Sequence, residues 1–165
     1  LREAVANYYV NQENISIAPD NVLIGPGSKE LMFILQMVLD CTIIFPSPSW
    51  VSYEPQSIIL KKNYSYLNTS FDNKWKIFPE RLMEKCKEIS GLKLLILNYP
   101  GNPTGMSYST SELEIIANIC RENNTLILSD EIYGRLHHMN NHQSIAKYFP
   151  ETDNQPSSGS DENRY

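Results

Sequence analysis

The sequence predicts an α/β fold, a three-layer α-β-α sandwich around a mostly parallel sheet. Three observations in residues 93–133 favour it. The apolar run KLLIL stops at a turn cluster that begins with Asn98, as a strand buried on both faces does. The segment STSE (residues 109–112) has the pattern of a helix capping box, and apolar residues follow it at helical spacing. A second apolar run, TLILS, ends at Asp130. Such a βαβ unit has a right-handed crossover, which brings both strand ends to the sheet edge where ligands bind.

The elements before this unit follow from periodicity and turn residues. Residues 1–10 carry a helical stripe, and NVLIG (residues 21–25) reads as a short strand. Ser28 is placed to cap a helix over residues 29–39, which is so apolar that we expect it to be largely buried. Residues 42–45 predict another strand, closed by the turn PSPSW.

Helices and strands continue to alternate after this turn. Residues 51–60 predict a helix, in which Pro55 marks either a kink or a start. Residues 61–69 show partial alternation and predict a strand. Pro79 then opens a helix over residues 80–89, and Gly91 ends it.

After Tyr133 the pattern weakens. Residues 142–149 are compatible with one amphipathic helix. Residues 151–165, ETDNQPSSGSDENRY, contain no aliphatic side chain, so they cannot bury enough surface to offset the entropy of ordering. We therefore predict a domain over residues 1–150 and a disordered or unrelated tail over 151–165.

Composition places the chain among ordinary globular proteins. Its 165 residues are 41% hydrophobic and 20% charged, enough for one domain with a core. The net charge of −5 predicts no nucleic-acid partner. No apolar run approaches the ~20 residues of a membrane span, so we predict no membrane partner. The chain starts without Met or a signal-peptide pattern, which suggests the middle of a longer protein.

Cysteine and histidine usage bears on location and metals. Three cysteines, odd in number and widely spaced, argue against a disulfide framework or a zinc site. We expect buried reduced thiols and a cytoplasmic location. His137, His138 and His142 form a polar cluster on a predicted loop, and we predict that they bind no metal.

Four features offer binding chemistry, each with an ordinary structural alternative. The turn GPGSK (residues 25–29) presents free amides to a phosphate, or simply begins a helix. Trp50 either stacks on an aromatic ligand or is an ordinary core or surface tryptophan. Asp130 ends a buried strand and needs a partner, which is either a helix terminus or arginine, or a protonated heterocycle. Tyr133 hydrogen-bonds that heterocycle, or merely packs.

Two motifs in combination carry a family resemblance. NYPGNPTG (residues 98–105), followed by SDEIY (129–133) in a βαβ frame, resembles the class I and II aminotransferases, which are fold-type-I pyridoxal phosphate enzymes. The likeness continues upstream in GSK (27–29), PSWVSY (48–53) and LREAVA (1–6). It therefore covers about residues 1–150. It implies the large, cofactor-binding domain of that fold.

The resemblance implies roles at matching positions. Asp130 matches the acid that pairs with the pyridine nitrogen of pyridoxal 5′-phosphate and keeps it protonated. Asn102 and Tyr133 match the donors to the phenolic oxygen, and Trp50 matches the aromatic side chain that stacks on the ring. The phosphate-binding turn is matched by Gly27, Ser28 and Lys29.

One departure from the family pattern concerns catalysis. The family requires a Schiff-base lysine downstream of the SDEIY tyrosine. No lysine follows Lys147, which lies too early and in a helical context. The small domain with its substrate-binding arginine is also not found in these residues. We therefore expect no catalytic residue in this chain and no activity from the chain alone.

The implied parent protein moves an amino group from an amino acid to a 2-oxo acid and works as a homodimer. Two alternatives stay open. One is a non-catalytic paralogue, or a truncated splice product, that binds the cofactor or a partner protein. The other is a related pyridoxal phosphate lyase or synthase. In every case we expect apolar surface to be exposed on this stretch.

Overall fold

A four-stranded, all-parallel sheet forms the centre of the molecule in a computed structural model that describes residues 1–136 and 142–149. The strands stand in the order β2-β1-β3-β4. Their bounds are Thr42–Ser47 (β1), Tyr64–Asn68 (β2), Lys93–Asn98 (β3) and Thr125–Asp130 (β4). The parallel order confirms the predicted fold class.

Helices cover both faces of this sheet. They are α1 (Arg2–Tyr8), α2 (Ser28–Val38), α3 (Tyr53–Ile59), α4 (Pro79–Glu88) and α5 (Thr110–Glu122). A π-helical turn, Tyr9–Glu13, continues α1, and short 3₁₀ turns occupy Pro19–Asn21, Phe71–Asn73, Gly134–Leu136 and Ile145–Tyr148. Pro55 lies in the first turn of α3, where proline is tolerated because that amide has no helical partner.

The core consists of two layers, because successive side chains of a strand point to opposite faces of the sheet. Ile44, Leu95 and Leu97 pack with the buried side chains of α4 and α5. Ile43, Phe45, Leu94 and Ile96 pack on the other face with Met32 of α2 and Tyr53 of α3. Every residue of β3 is buried, as predicted for a central strand.

The βαβ unit of β3, α5 and β4 forms as the sequence predicts. Ser109 caps α5 by accepting a hydrogen bond from the Glu112 amide, and the Glu112 carboxylate accepts one from the Ser109 amide at 2.7 Å. The two strands run in register, with Asn98 opposite Asp130 at their carboxyl ends. This register brings the two predicted site segments together.

Three predictions about the elements and their burial are wrong. Residues 21–25 form no strand in the described part of the chain; Leu23 is 70% exposed there. Helix α2 is only half buried, since Met37 and Val38 lie largely in solvent. Residues 142–149 contain a 3₁₀ turn capped by Ser144 in place of a full helix. The tail predicted over 151–165 lies outside the described residues.

Strand β4 stands at the edge of the sheet in the described residues. Its outer apolar side chains are only partly covered, and Leu126 is 44% exposed. Other large apolar side chains in solvent belong to α2, α3 and the turns after β1 and β4: Ile34, Met37, Val51, Ile58, Ile59, Ile132 and Leu136. Among the residues described, no helix has the length and apolar character to cross a bilayer.

Candidate functional site

Asn98 ties together the two loops at the carboxyl edge of the sheet. Its side-chain nitrogen donates to the Asp130 carbonyl oxygen at 2.8 Å, and its side-chain oxygen accepts from the Asn102 amide at 2.7 Å. Asn98 itself is 8% exposed. Its amide therefore fixes where the NPTG loop begins relative to the end of β4.

Asn102 and Tyr133 come from different loops and meet above this edge. The Asn102 side-chain nitrogen lies 3.4 Å from the Tyr133 hydroxyl, and both residues are partly buried. Each can donate a hydrogen bond to an oxygen placed between or beside them. The pair therefore presents two donors on one side of the site.

Asp130 has a buried phenol as its partner. The Tyr53 hydroxyl donates to Asp130 Oδ2 at 2.7 Å, while the Ile132 amide approaches Oδ1 at 3.4 Å. Tyr53 is 1% exposed. Burial, and then its hydrogen bond to the carboxylate, raise the pKa of Tyr53 well above the ordinary value for tyrosine. Tyr53 is thus a neutral donor that orients Oδ2 of the carboxylate. Among the described residues, Oδ1 has only the long contact with the Ile132 amide, so it can accept a hydrogen bond from a ligand.

Trp50 and Lys29 lie next to this tyrosine. The indole ring meets the Tyr53 ring edge to face, with centroids 5.4 Å apart. Lys29 Nζ lies 5.5 Å from the centre of the same indole. Trp50 is half-buried, so part of its ring is open to a ligand.

The N-terminus of α2 completes the site. Gly27 is the N-cap and Ser28 is the first helical residue, so the prediction that Ser28 caps the helix is wrong. Gly27 has an extended φ of 176°, and a Cβ there would meet nothing within 4 Å. Ser28 makes no capping bond, which leaves the first-turn amides and its hydroxyl available to an anion.

A cavity of about 640 Å³ joins the helix N-terminus to the sheet edge. Ser28 and Asp130 line it together with Ile132, and apolar side chains of α2 form another wall. A helix N-terminus and a carboxylate thus face one space.

The sequence matches the family model described as aminotransferase class I and II over residues 1–158. This chain belongs to the class I and II aminotransferases. Aspartate aminotransferase of Bacillus subtilis is 34% identical over 151 residues, which are 89% of this chain and 38% of that protein. An asparagine–oxo-acid transaminase of Streptococcus mutans is 34% identical over 139 residues. The chain thus spans less than two fifths of the length of these curated relatives.

Solved structures agree with this assignment. Aspartate aminotransferase from Thermus thermophilus with maleate superposes with a TM-score of 0.82 and 30% identity, over 91% of this chain and 40% of that one. Alanine aminotransferase from Pyrococcus furiosus superposes with a TM-score of 0.80 and 26% identity, over 88% of this chain and 37% of that one. The class I and II aminotransferases are pyridoxal phosphate-dependent transferases that act on amino acids and 2-oxo acids. The predicted family is confirmed, and the predicted enzyme class and cofactor are those of the family.

The structure brings most of the predicted site residues into one connected region. Asn102 touches Tyr133, Trp50 touches Tyr53, and Tyr53 touches Asp130. His137 and His138 lie outside the described residues. Cofactor binding stays a prediction for Gly27, Ser28, Lys29, Trp50, Asn102, Asp130 and Tyr133.

Sequence reasoning missed two residues of this region. Asn98 ends β3 opposite Asp130, and the in-register βαβ unit could have placed it there. Tyr53 follows Trp50 by three residues within the PSWVSY motif, but nothing local signals that its hydroxyl reaches Asp130, 77 positions away.

Proposed function

We propose that this chain forms the cofactor-binding part of an aminotransferase large domain over residues 1–150. The observation that carries the proposal is the pairing of Asn98 with Asp130, which sets the NPTG loop and the SDEIY turn at one sheet edge. The donor set fits the cofactor's three polar groups. It offers a carboxylate for a ring N–H, two donors for an oxyanion, and a helix N-terminus for a phosphate.

Within the proposal, each residue has a defined task. Asp130, oriented by Tyr53, holds a proton on the pyridine nitrogen. Asn102 and Tyr133 donate to the phenolic oxygen. Trp50 stacks on the ring, and the turn of Gly27, Ser28 and Lys29 holds the phosphate. When bound, the cofactor supplies an electron sink that stabilises negative charge developing on the substrate.

For the whole protein, we propose transfer of an amino group from an amino acid to a 2-oxo acid. The relatives named aspartate aminotransferase support this reaction class. We also propose a homodimer, as is general in this family. Exposed apolar side chains on α2 and α3, such as Met37 and Ile59, supply surface for such association. Three free, buried cysteines fit a reducing, cytoplasmic setting.

For these 165 residues alone, we propose cofactor binding without catalysis. No lysine occurs among residues 148–165. Lys147 Nζ lies 4.0 Å from Glu13 Oε2, so its charge is directed at the end of the N-terminal helical segment. The same observation favours a second candidate, a non-catalytic paralogue that binds the cofactor.

Binding without covalent attachment is the direct test. Pyridoxine 5′-phosphate lacks the aldehyde, so it cannot react with surface lysines. We expect saturable quenching of tryptophan fluorescence in the full chain. Asp130→Asn should weaken binding about 10-fold or more, since it removes a charge-assisted hydrogen bond.

Asp72→Asn, an exposed aspartate in the turn after β2, is the matched control and should bind as the wild type does. Equal affinity of the wild type and Asp130→Asn would contradict the cofactor assignment. Transamination by the 165-residue chain would contradict the claim that it lacks the catalytic lysine.

A further inference from the structure

The carboxylate of Glu131 gathers four polar groups into a partly buried cluster at the wall of the candidate cavity. Its Oε1 atom accepts from the hydroxyls of Ser129 (2.6 Å), Ser144 (2.8 Å) and Tyr99 (3.2 Å). Its Oε2 atom lies 2.7 Å from His142 Nε2. The side chains of Glu131 and His142 are only 17% and 11% exposed. None of the tasks proposed above uses this cluster.

The cluster connects two segments that are distant in sequence. Ser129 lies near the end of β4 and Glu131 directly follows that strand, whereas His142 and Ser144 belong to the segment before the last 3₁₀ turn. The Tyr99 hydroxyl accepts from the Ile145 amide at 2.6 Å and so fastens that segment to the end of β3. A buried carboxylate is stable only when its oxygens are paired in this way.

Both ends of the turn that carries Tyr133 are held by this cluster. The turn closes through a hydrogen bond from the Gly134 amide to the Glu131 carbonyl, at 2.8 Å. Glu131, its first residue, is fixed by its side chain. Gly134, its last residue, lies under the His142 ring, where an added Cβ would come within 2.8 Å of Cδ2.

The His142 ring is itself confined. It lies against the Tyr99 ring, with centroids 5.2 Å apart, and donates through Nε2 to Glu131 in the tautomer that this pairing requires. Its Nδ1 is buried without a hydrogen-bond partner among the described residues. Glu131 is therefore the polar anchor of the ring among the described residues, and Tyr99 and Gly134 pack against it.

We propose that Glu131 and His142 are positioning residues that aim the Tyr133 hydroxyl at the cofactor's phenolic oxygen. The carboxylate holds the start of the turn, and the imidazole, oriented by that carboxylate, supports its end. The inference rests on the proposed function for the role of Tyr133. The placement of the turn is a property of the unliganded chain and can be tested without any ligand.

The first arm is hydrogen exchange of the full chain, read by mass spectrometry. Glu131→Gln removes the charge and offers an amide donor to hydroxyls that need an acceptor. We expect protection of peptides covering residues 132–136 and 145–149 to fall about 10-fold or more. Gly134→Ala should act similarly by displacing His142. Glu114→Gln, an exposed glutamate on α5, is the control and should change nothing.

The second arm measures the aim of Tyr133 with two ligands, pyridoxine 5′-phosphate and its 3-O-methyl ether. The wild type should bind pyridoxine 5′-phosphate, with its free 3-hydroxyl, more tightly than the ether. Tyr133→Phe should reduce this ratio of affinities about 10-fold. Glu131→Gln should reduce it by a similar factor, and the double variant should lose no more than either single variant. A merely structural glutamate would weaken both ligands equally and leave their ratio unchanged.

The outcomes separate the two proposals. Unchanged protection in Glu131→Gln and Gly134→Ala overturns the positioning role. Lost protection with an unchanged ligand ratio also overturns it, because the turn would then move without affecting Tyr133. A wild type that binds neither ligand overturns the proposed function, while the exchange arm still decides whether the cluster holds the turn.

Discussion

Replacing Asn98 should damage both stability and the candidate site, because its side chain joins two loops from a buried position. In Asn98→Ala the Asn102 amide loses its acceptor, and the Asp130 carbonyl keeps only the Tyr99 amide, at 3.2 Å. An unsatisfied buried amide costs about 1–3 kcal/mol, and one lost hydrogen bond about 0.5–1.5 kcal/mol. The free energy of unfolding should therefore fall by about 1.5–4.5 kcal/mol.

The Asn98→Asp variant tests the donor function of the Asn98 side chain separately from its acceptor function. The carboxylate still accepts from the Asn102 amide, but it faces the Asp130 carbonyl with no hydrogen to donate. Its cost should match or exceed that of alanine, since two acceptors are then opposed in a buried place. Preserved stability in this variant would mean that the donor to Asp130 contributes nothing.

Urea denaturation followed by circular dichroism measures the stability, and pyridoxine 5′-phosphate titration measures the site. Asn118→Ala, on the exposed face of α5, is the control and should stay within about 0.5 kcal/mol of the wild type. We expect Asn98→Ala to bind the ligand at least about 10-fold more weakly, because the NPTG loop loses its anchor. A change below 0.5 kcal/mol together with normal binding would refute the reasoning.

Three further predictions concern a donor, a charge and the core. Tyr53→Phe removes the phenol that orients Asp130, so ligand affinity should fall about 3- to 10-fold while the fold survives. Burial alone would raise the pKa of Glu112, but hydrogen bonds from Lys76 and Ser109 outweigh it and hold it below the ordinary value. Its stabilisation is therefore present above about pH 4.5 and is lost as the pH falls through the lowered pKa, so Glu112→Gln should cost about 0.5–1 kcal/mol at pH 7 and progressively less below pH 4.5. Leu95→Ala should cost about 2–5 kcal/mol by opening a cavity in a fully buried layer.

Each of these three predictions has a control variant and a result that would contradict it. Tyr8→Phe, at a partly exposed tyrosine of α1, should not alter ligand affinity, and equal effects of both phenylalanines would remove Tyr53 from the site. Glu114→Gln should show no pH-dependent difference from the wild type, and a similar loss there would indicate a general charge effect. Leu126→Ala, at a 44% exposed leucine, should cost clearly less than Leu95→Ala, and equal costs would place the core elsewhere.

The βαβ unit was predictable because its signals are local. The capping box needs only residues 109–112, and a strand buried on both faces needs only an uninterrupted apolar run such as 94–97. The family motifs then pointed to Asn102 and Asp130. The register of the unit made their meeting at one edge a consequence of topology.

Two of the wrong predictions share a physical cause, because an apolar pattern shows that a surface needs a partner without showing which one. Residues 21–25 carry the short apolar run of a strand, but no described strand pairs with them. The apolar sequence of α2 predicted burial, whereas only Met32 and Gln36 are buried in it. Gln36 Nε2 donates a hydrogen bond to Gln56 Oε1 at 3.0 Å. No local sequence pattern predicts this polar contact between two helices.

One side of β4 pairs with no other strand among residues 1–136 and 142–149, which has a geometric consequence. An edge strand in a parallel sheet presents a row of amides and carbonyls that a further strand can continue. A segment added there in parallel would finish its run at the same rim as Asp130, one strand spacing of about 4.8 Å further along. Backbone pairing alone would therefore place the side chain that follows such a strand next to the candidate site.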